Sequence, residues 1–182
     1  MKSKFCISIA LILISAAFTS GDSYAQMYWN QAASFAGNSS SYVSVPNSAS
    51  LNITGSFTLE AWIKPSNVSS AKGIISKGGT LGTSLKYCLR MSNGRILIAT
   101  NGAQRLITKV STSIPLNEWT HVAGTYNAST NQFVIYINGI TDTSATVSAA
   151  APTSNTDSLF IGISGNSTPF SGIIDEVRVW NI

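Results

Sequence analysis

Tyr87-Cys88-Leu89-Arg90-Met91-Ser92-Asn93-Gly94-Arg95-Ile96-Leu97-Ile98-Ala99-Thr100 decides the fold class of this chain. Asn-Gly flanked by apolar runs is the strongest short hairpin signal, because both central residues of a type I′ turn need positive φ. With Asn93 and Gly94 in the turn, Met91 falls opposite Ile96, Leu89 opposite Ile98 and Tyr87 opposite Thr100. Directly opposed residues share a face, so this face is apolar and is predicted to be core. The other face carries Lys86, Cys88, Arg90, Arg95, Leu97 and Ala99 and is predicted to be a basic outer surface.

The same pattern extends in both directions. Phe57 to Lys64 alternates, with Phe57, Leu59, Ala61 and Ile63 on one side, and Pro65 stops the run. Trp119 to Tyr126 is a strand. Phe133–Ile137 and Ile140–Thr143 flank a second Asn-Gly turn at Asn138-Gly139. Leu159–Ile163 and Ile173–Trp180 complete the set. Short strands at regular spacing predict an all-β sandwich or barrel. Composition agrees. Charged residues are only 10% of the chain, so the Glu, Lys and Arg that cover helix faces are scarce. Sixty of the 182 residues are Ser, Thr or Asn, which favours turns and exposed strand faces over helices. A 44% hydrophobic fraction excludes a disordered polar tract, and the pattern excludes a coiled coil, a collagen and a disulfide scaffold.

The N-terminus has a different character. Lys2 and Lys4 precede an apolar run from Ile7 to Phe18, and Ser23-Tyr24-Ala25 supplies small residues before a cut. This is a secretory signal pattern, so residues 1–25 are predicted to be a signal peptide and residues 26–182 one exported domain, extracellular or periplasmic. No later segment is apolar enough to span a bilayer, so no membrane span is expected after signal removal. Cys88 is then the lone cysteine of the exported chain; it has no internal disulfide partner and is read as an inert thiol. Eight of the nine remaining basic residues lie between Lys64 and Lys109, and no acid lies between Glu60 and Glu118. Such asymmetry marks a surface for an anionic partner. With so small a net charge and no binding motif, nucleic acid is not the expected partner.

Three segments together carry a family resemblance. The first holds Ser34-Phe35-Ala36-Gly37, Tyr42-Val43-Ser44-Val45-Pro46 and Phe57-Thr58-Leu59-Glu60-Ala61-Trp62-Ile63. The second is Glu118-Trp119-Thr120-His121-Val122-Ala123-Gly124-Thr125-Tyr126, followed by Tyr136-Ile137-Asn138-Gly139. The third runs from Ile161-Gly162 to Phe170-Ser171-Gly172-Ile173-Ile174-Asp175-Glu176-Val177-Arg178-Val179-Trp180-Asn181. In this order they resemble the laminin-G-like domains of the concanavalin A-like lectin and glucanase superfamily, with pentraxins as more distant relatives. The resemblance implies an antiparallel two-sheet jelly-roll β-sandwich whose first and last strands pair. It also implies packing roles for Trp62, Trp119, Trp180 and His121.

Glucanases of that superfamily carry a Glu-x-Asp-x-x-Glu strand, because glycoside hydrolysis needs two carboxylates across one cleft. This chain has none; Asp175 and Glu176 are adjacent and, on a regular strand, point to opposite faces. No Ser–His–Asp spacing, metal-binding His pair or phosphate loop is present, so no enzyme activity is expected. Related domains often hold one structural calcium ion, and Asp175 is the matching ligand. Ala36 and Ser41 stand where the common pattern has Asp, and the alternative is that Asp175 only accepts hydrogen bonds from loop amides. Two functions are expected from these features. One is a non-catalytic module for an extracellular glycan of anionic character, with Lys86, Arg90, Arg95 and Arg105 as ligand-binding residues. The other is a protein-binding or structural adhesion module.

Overall fold

Buried and open positions alternate strictly along Phe57–Pro65, the signature of a strand with one face on a core. The computed structural model describes residues 5–8, 32–79, 84–148, 150–165 and 168–182. They form thirteen strands and one short 3-10 turn at Ala49–Leu51. In chain order the strands are β1 (Phe5–Ser8), β2 (Ala33–Ala36), β3 (Val43–Val45), β4 (Phe57–Pro65), β5 (Ala71–Lys77), β6 (Tyr87–Ser92) and β7 (Arg95–Thr100). They continue as β8 (Ala103–Ile107), β9 (Thr120–Asn127), β10 (Gln132–Ile137), β11 (Ile140–Thr146), β12 (Leu159–Ile161) and β13 (Ser171–Asn181). Two antiparallel sheets result. A seven-stranded sheet runs β1-β13-β4-β9-β10-β11, with β2 also on β13, and a six-stranded sheet runs β3-β12-β5-β6-β7-β8. The jelly-roll sandwich implied by the motifs is therefore present, and β2 and β13 pair side by side.

The hairpin register is the one read from the sequence: Met91 pairs with Ile96, Leu89 with Ile98 and Tyr87 with Thr100. Asn93 and Gly94 have φ of 49° and 74°, as their turn requires. Tyr87, Leu89, Met91, Ile96 and Ile98 face inward and are fully buried. Between the sheets Phe57 lies 5.7 Å from Tyr87 and 5.8 Å from Tyr126, and Tyr126 stacks on Phe133 at 4.5 Å. Truncating a ring in such a cluster costs about 3–5 kcal/mol. The Tyr87 hydroxyl donates to the Leu51 carbonyl at 2.9 Å, which satisfies the single polar group the ring carries inside.

Several expectations need correction. The strand beginning at Leu159 ends at Ile161, not Ile163, because Gly162 turns the chain with φ of 82°. Asp175 and Glu176 do not face opposite sides. The register against β4 shifts between Asp175 and Arg178, and Glu176 has φ of 50°. Ile174 and Val177 both reach the core, so the two acids bulge together on the outer side. Strands β5 and β8 lie in stretches where the sequence showed none. The signal-peptide assignment rests almost wholly on residues outside the described ones; of that segment only Phe5–Ser8 is described, paired with Arg178–Asn181 of β13.

Candidate functional site

The six-stranded sheet has an outer face that begins at β12. Leu159 and Ile161 point to the core, which leaves Phe160 between them pointing outward, directly opposite Ser44 and Ser76. Tyr42, just before β3, sets its ring edge-on to Phe160, with centroids 5.8 Å apart and planes at 70°. Tyr42 keeps 45% of its surface exposed. These two rings form one wall of a cleft of about 740 Å³, lined also by Gly78, Gly79, Ser84, Asp157, Ile163 and Gly165.

The opposite wall is polar and held in place. Asn155 Nδ2 donates to Asp157 Oδ2 at 2.6 Å and to the Ser84 carbonyl at 3.1 Å, while the Gly79 amide donates to Ser84 Oγ at 3.0 Å. Asn155 Oδ1 is buried with no partner, an acceptor left open. Gly78 has φ of 85°, and a Cβ there would come within 2.5 Å of the Ser84 carbonyl and 2.8 Å of Asn155. Only a bare backbone fits, so the loops close tightly over it. Behind this wall Lys77, 1% exposed, donates from Nζ to Asn47 Oδ1 at 2.5 Å and to the Asp157 carbonyl. Burial lowers the Lys77 pKa, with Asp157 opposing the shift. Lys77 anchors the Asp157 loop. Aromatic rings beside a carboxylate and the hydroxyl side chains of Ser39, Thr156 and Ser158, which also line the cleft, are the chemistry that holds sugars: ring C–H faces on the aromatics, hydroxyls on the polar groups.

The four basic residues singled out from the sequence do not form one solvated patch. Lys86 donates to Thr153 Oγ1 at 3.1 Å. Arg95 places Nε and Nη2 on the Thr108 carbonyl. Arg105 turns its Nε to Thr100 Oγ1 at 2.8 Å, and Thr100 pairs with the core residue Tyr87 on the inward side. Arg90 does point outward, as the register required, but it is buried at 5% exposure on a face it shares with the buried Cys88, Leu97 and Ala99. The outer face is thus apolar around one guanidinium rather than basic and wet. Its Nε has no hydrogen-bond partner. Burial lowers the Arg90 pKa and pushes the neighbouring Cys88 thiol from an ordinary 9.0 up to about 12. A thiol so placed is not a nucleophile at neutral pH.

The outer face of the seven-stranded sheet gathers other motif residues. Glu60 accepts from Trp180 Nε1 at 2.8 Å, lies 3.2 Å from His121 Nε2, and is 3.8 Å from Arg178 Nη1. The Trp62 ring leans on His121 at 5.4 Å. Trp62 and Trp119 are not packing groups: they expose 39% and 42%. Asp175 Oδ1 accepts the Glu176 amide at 2.8 Å, and the Ala36 amide donates to Ser41 Oγ at 2.9 Å. Calcium takes roughly six to eight oxygens, with carboxylates prominent. Among the described residues no three His, Cys, Asp or Glu side chains gather as ligands, so an ion at Asp175 would draw on backbone carbonyls for most of its oxygens.

Tyr42, Phe160, Asn155 and Asp157 were not singled out as site residues from sequence. Phe160 sits in an unbroken apolar run with Leu159 and Ile161, so periodicity hides that it alone faces outward. The one usable signal was the aromatic at the edge of a strand too short to bury it.

Two sheets, paired end strands and an aromatic-walled cleft on one outer face define a lectin-type sandwich. The chain belongs to the concanavalin A-like lectin/glucanases superfamily, whose laminin G-type family model matches residues 36–182. A search of curated proteins gives no match. Among solved structures, a Bacteroides ovatus protein provisionally described as carbohydrate-binding is 25% identical, with TM-score 0.63, over 84% of this chain and 44% of that one. This chain therefore spans less than half the length of that relative. Domain 4 of the extracellular arabinanase AbnA of Geobacillus stearothermophilus, solved with arabinotriose, is 21% identical with TM-score 0.61, covering 79% of this chain and 68% of that one. The CBM40 domain of Ruminococcus gnavus IT-sialidase, solved with α2,3 sialyllactose, is 14% identical with TM-score 0.63, covering 83% and 88%. The last two establish a shared fold.

Proposed function

We propose that this chain is a non-catalytic glycan-binding module that acts outside the cytoplasm after loss of its leader. The observation that carries the reading is the cleft of about 740 Å³, lined by Tyr42, Phe160 and Asp157, with Asp157 held by Asn155. Three structurally similar proteins support it, two of them solved with oligosaccharides bound. The carboxylates argue for binding without hydrolysis. Among the described residues Asp157 is the single acid lining the cleft, and a glycosidase needs a pair. Tyr42→Ala tests the reading, because an exposed ring can be removed at little cost to the fold. Glycan retention is expected to fall about tenfold or more, with the melting temperature nearly unchanged. Undiminished retention by Tyr42→Ala places the site elsewhere.

A second reading, a protein-adhesion module, is favoured by two exposed tryptophans, Trp62 on the outer face of the seven-stranded sheet and Trp119 just before β9 of that sheet. Exposed tryptophans are characteristic anchors of protein interfaces. If that face docks a protein, Trp62→Ala with Trp119→Ala abolishes capture of the partner while glycan retention persists.

A further inference from the structure

The class of glycan, which rests on the glycan-binding reading of the cleft, turns on two buried groups beside it. A guanidinium removed from water needs a counter-charge, or acceptors for its donors. Arg90 is 5% exposed, and its Nε meets no acceptor among the described residues. No described acid supplies the charge. Glu60 and Glu176 hold Arg178, Asp142 takes the Lys109 amide and Thr112, Asp157 holds Asn155, and Asp175 takes the Glu176 amide. Glu118 is exposed in the loop before β9, in the other sheet. The one acid outside the described residues is Asp22, within the leader.

A second unpartnered group lies beside the first. Gly73 is directly opposite Arg90 across β5 and β6, so the two share a face. A Cβ on Gly73 would collide at 2.2 Å with the Ile163 carbonyl carbon and the Ser164 nitrogen, so that peptide lies flat against the strand next to Arg90. Ser164 is 1% exposed, and its Oγ is buried with no partner. The loop is fixed there: Ser76 Oγ donates to the Ile163 carbonyl at 3.1 Å, Thr168 Oγ1 to the Ser164 carbonyl at 2.5 Å, and the Gly73 amide to the Thr168 carbonyl at 2.8 Å. The residues on either side of Ser164, Ile163 and Gly165, line the cleft. A cationic donor and a hydroxyl, both buried, both unmatched among the described residues and both next to the Ile163–Gly165 loop that lines the cleft, are complementary to one oxyanion. Cys88, Leu97 and Ala99, buried on the same face as Arg90, lower the local dielectric and strengthen that attraction.

We propose that Arg90 and Ser164 form an oxyanion subsite beside the cleft, which takes the carboxylate or sulfate substituent of an acidic glycan while the sugar ring lies against Tyr42 and Phe160. Arginine presents a planar fork suited to either group, and charge-assisted hydrogen bonds are about twice as strong as neutral ones.

The test is an array of neutral glycans, their uronate- or sialate-bearing counterparts and their sulfate esters, probed with the purified protein and with Arg90→Met, Arg90→Lys and Ser164→Ala. Acidic glycans are expected to be retained over their neutral counterparts. Arg90→Met loses about a hundredfold in affinity for them and leaves neutral glycans unaffected; Ser164→Ala loses about tenfold; Arg90→Lys falls between. The uronate and sulfate arms identify which oxyanion is read. Retention of neutral glycans alone, unchanged by Arg90→Met, overturns the subsite and leaves the glycan-binding reading intact. A blank array removes the glycan-binding reading, and melting curves then decide the subsite. A rise in Tm with sodium glucuronate or sodium sulfate over sodium chloride, absent in Arg90→Met, supports it. Equal Tm in all salts overturns it.

Discussion

The two outer faces of this sandwich handle charge in opposite ways. On the seven-stranded sheet Glu60 is a hub: Trp180, His121 and Arg178 all converge on it, and Arg178 also reaches Glu176. Each charged group of that cluster has a partner from its own chain, brought from strands β4, β9 and β13. On the six-stranded sheet Arg90 is more deeply buried, yet no described carboxylate faces it, and Ser164 beside it is equally unmatched. Burial without a partner is unfavourable, so a fold under no other demand would place an apolar side chain at Arg90. The comparison separates a face completed by the chain from a face completed by something else.

Deleting one charge on each face gives the sharpest contrast. Glu60→Ala leaves His121, the Trp180 indole N–H and Arg178 without their common acceptor in a site that is only 19% exposed. Hydrogen bonds involving charged groups contribute about 1.5–3 kcal/mol, so urea unfolding is expected to show a loss of about 2–3 kcal/mol. Arg90→Met, which also deletes a charge, is expected to leave stability unchanged or raise it by about 1 kcal/mol. If both substitutions destabilise equally, Arg90 has an internal partner and the distinction between the faces fails.

The pH dependence of stability probes the same apolar face. Cys88 keeps its proton in the folded protein up to about 12, against an ordinary 9.0, because burial disfavours the thiolate more than Arg90 favours it. The folded state thus holds a proton that the unfolded state releases. The stabilisation is complete below pH 9 and is lost as pH rises from 9 towards 12, at up to about 1.4 kcal/mol per pH unit. The buried Tyr87 hydroxyl, whose pKa is also raised by burial, acts in the same direction from its ordinary 10.0. Cys88→Ala is expected to flatten the fall between pH 9 and 10, where Tyr87 contributes little. An unchanged slope means that the thiol is open to water and the face is not dry.

How much of this was legible in the sequence differs between the two faces as well. The hairpin at Asn93-Gly94 gave its register residue by residue, because a two-residue turn leaves one pairing and the alternation leaves one core face. The outward direction of Arg90 came directly from that register. Its burial did not, since that depends on the Ile163–Ser164 peptide lying against Gly73, some ninety positions away in sequence, a contact with no local signal. Strand β5 was hidden for a related reason: Lys72, Gly73 and Lys77 break up its apolar pattern, yet Lys77 faces inward and anchors the Asp157 loop. The bulge at Asp175–Arg178 was invisible because alternation assumes a regular strand, and Glu176 leaves it at φ of 50°. The cleft draws on residues near 42, 78, 157 and 163, so no single window contained it.

The smallest expected effects concern the basic residues that the chain already engages. Lys86 is tied to Thr153 and Arg95 to the Thr108 carbonyl. Each therefore resembles the charges of the seven-stranded face more than it resembles Arg90, although both flank Arg90 in sequence. An exposed lysine bonded to a hydroxyl contributes within about 0.5 kcal/mol, and a long-range charge at the rim is screened at physiological salt. Lys86→Ala and Arg95→Ala are expected to change affinity for an acidic glycan less than twofold, measured by the same array, while Arg90→Met changes it about a hundredfold. Recognition by net positive charge predicts another ordering: three similar losses, each diminishing with added salt. A flat response across the three variants assigns binding to the field of the basic segment. A single large loss at Arg90 assigns it to the cation whose buried Nε has no partner among the described residues.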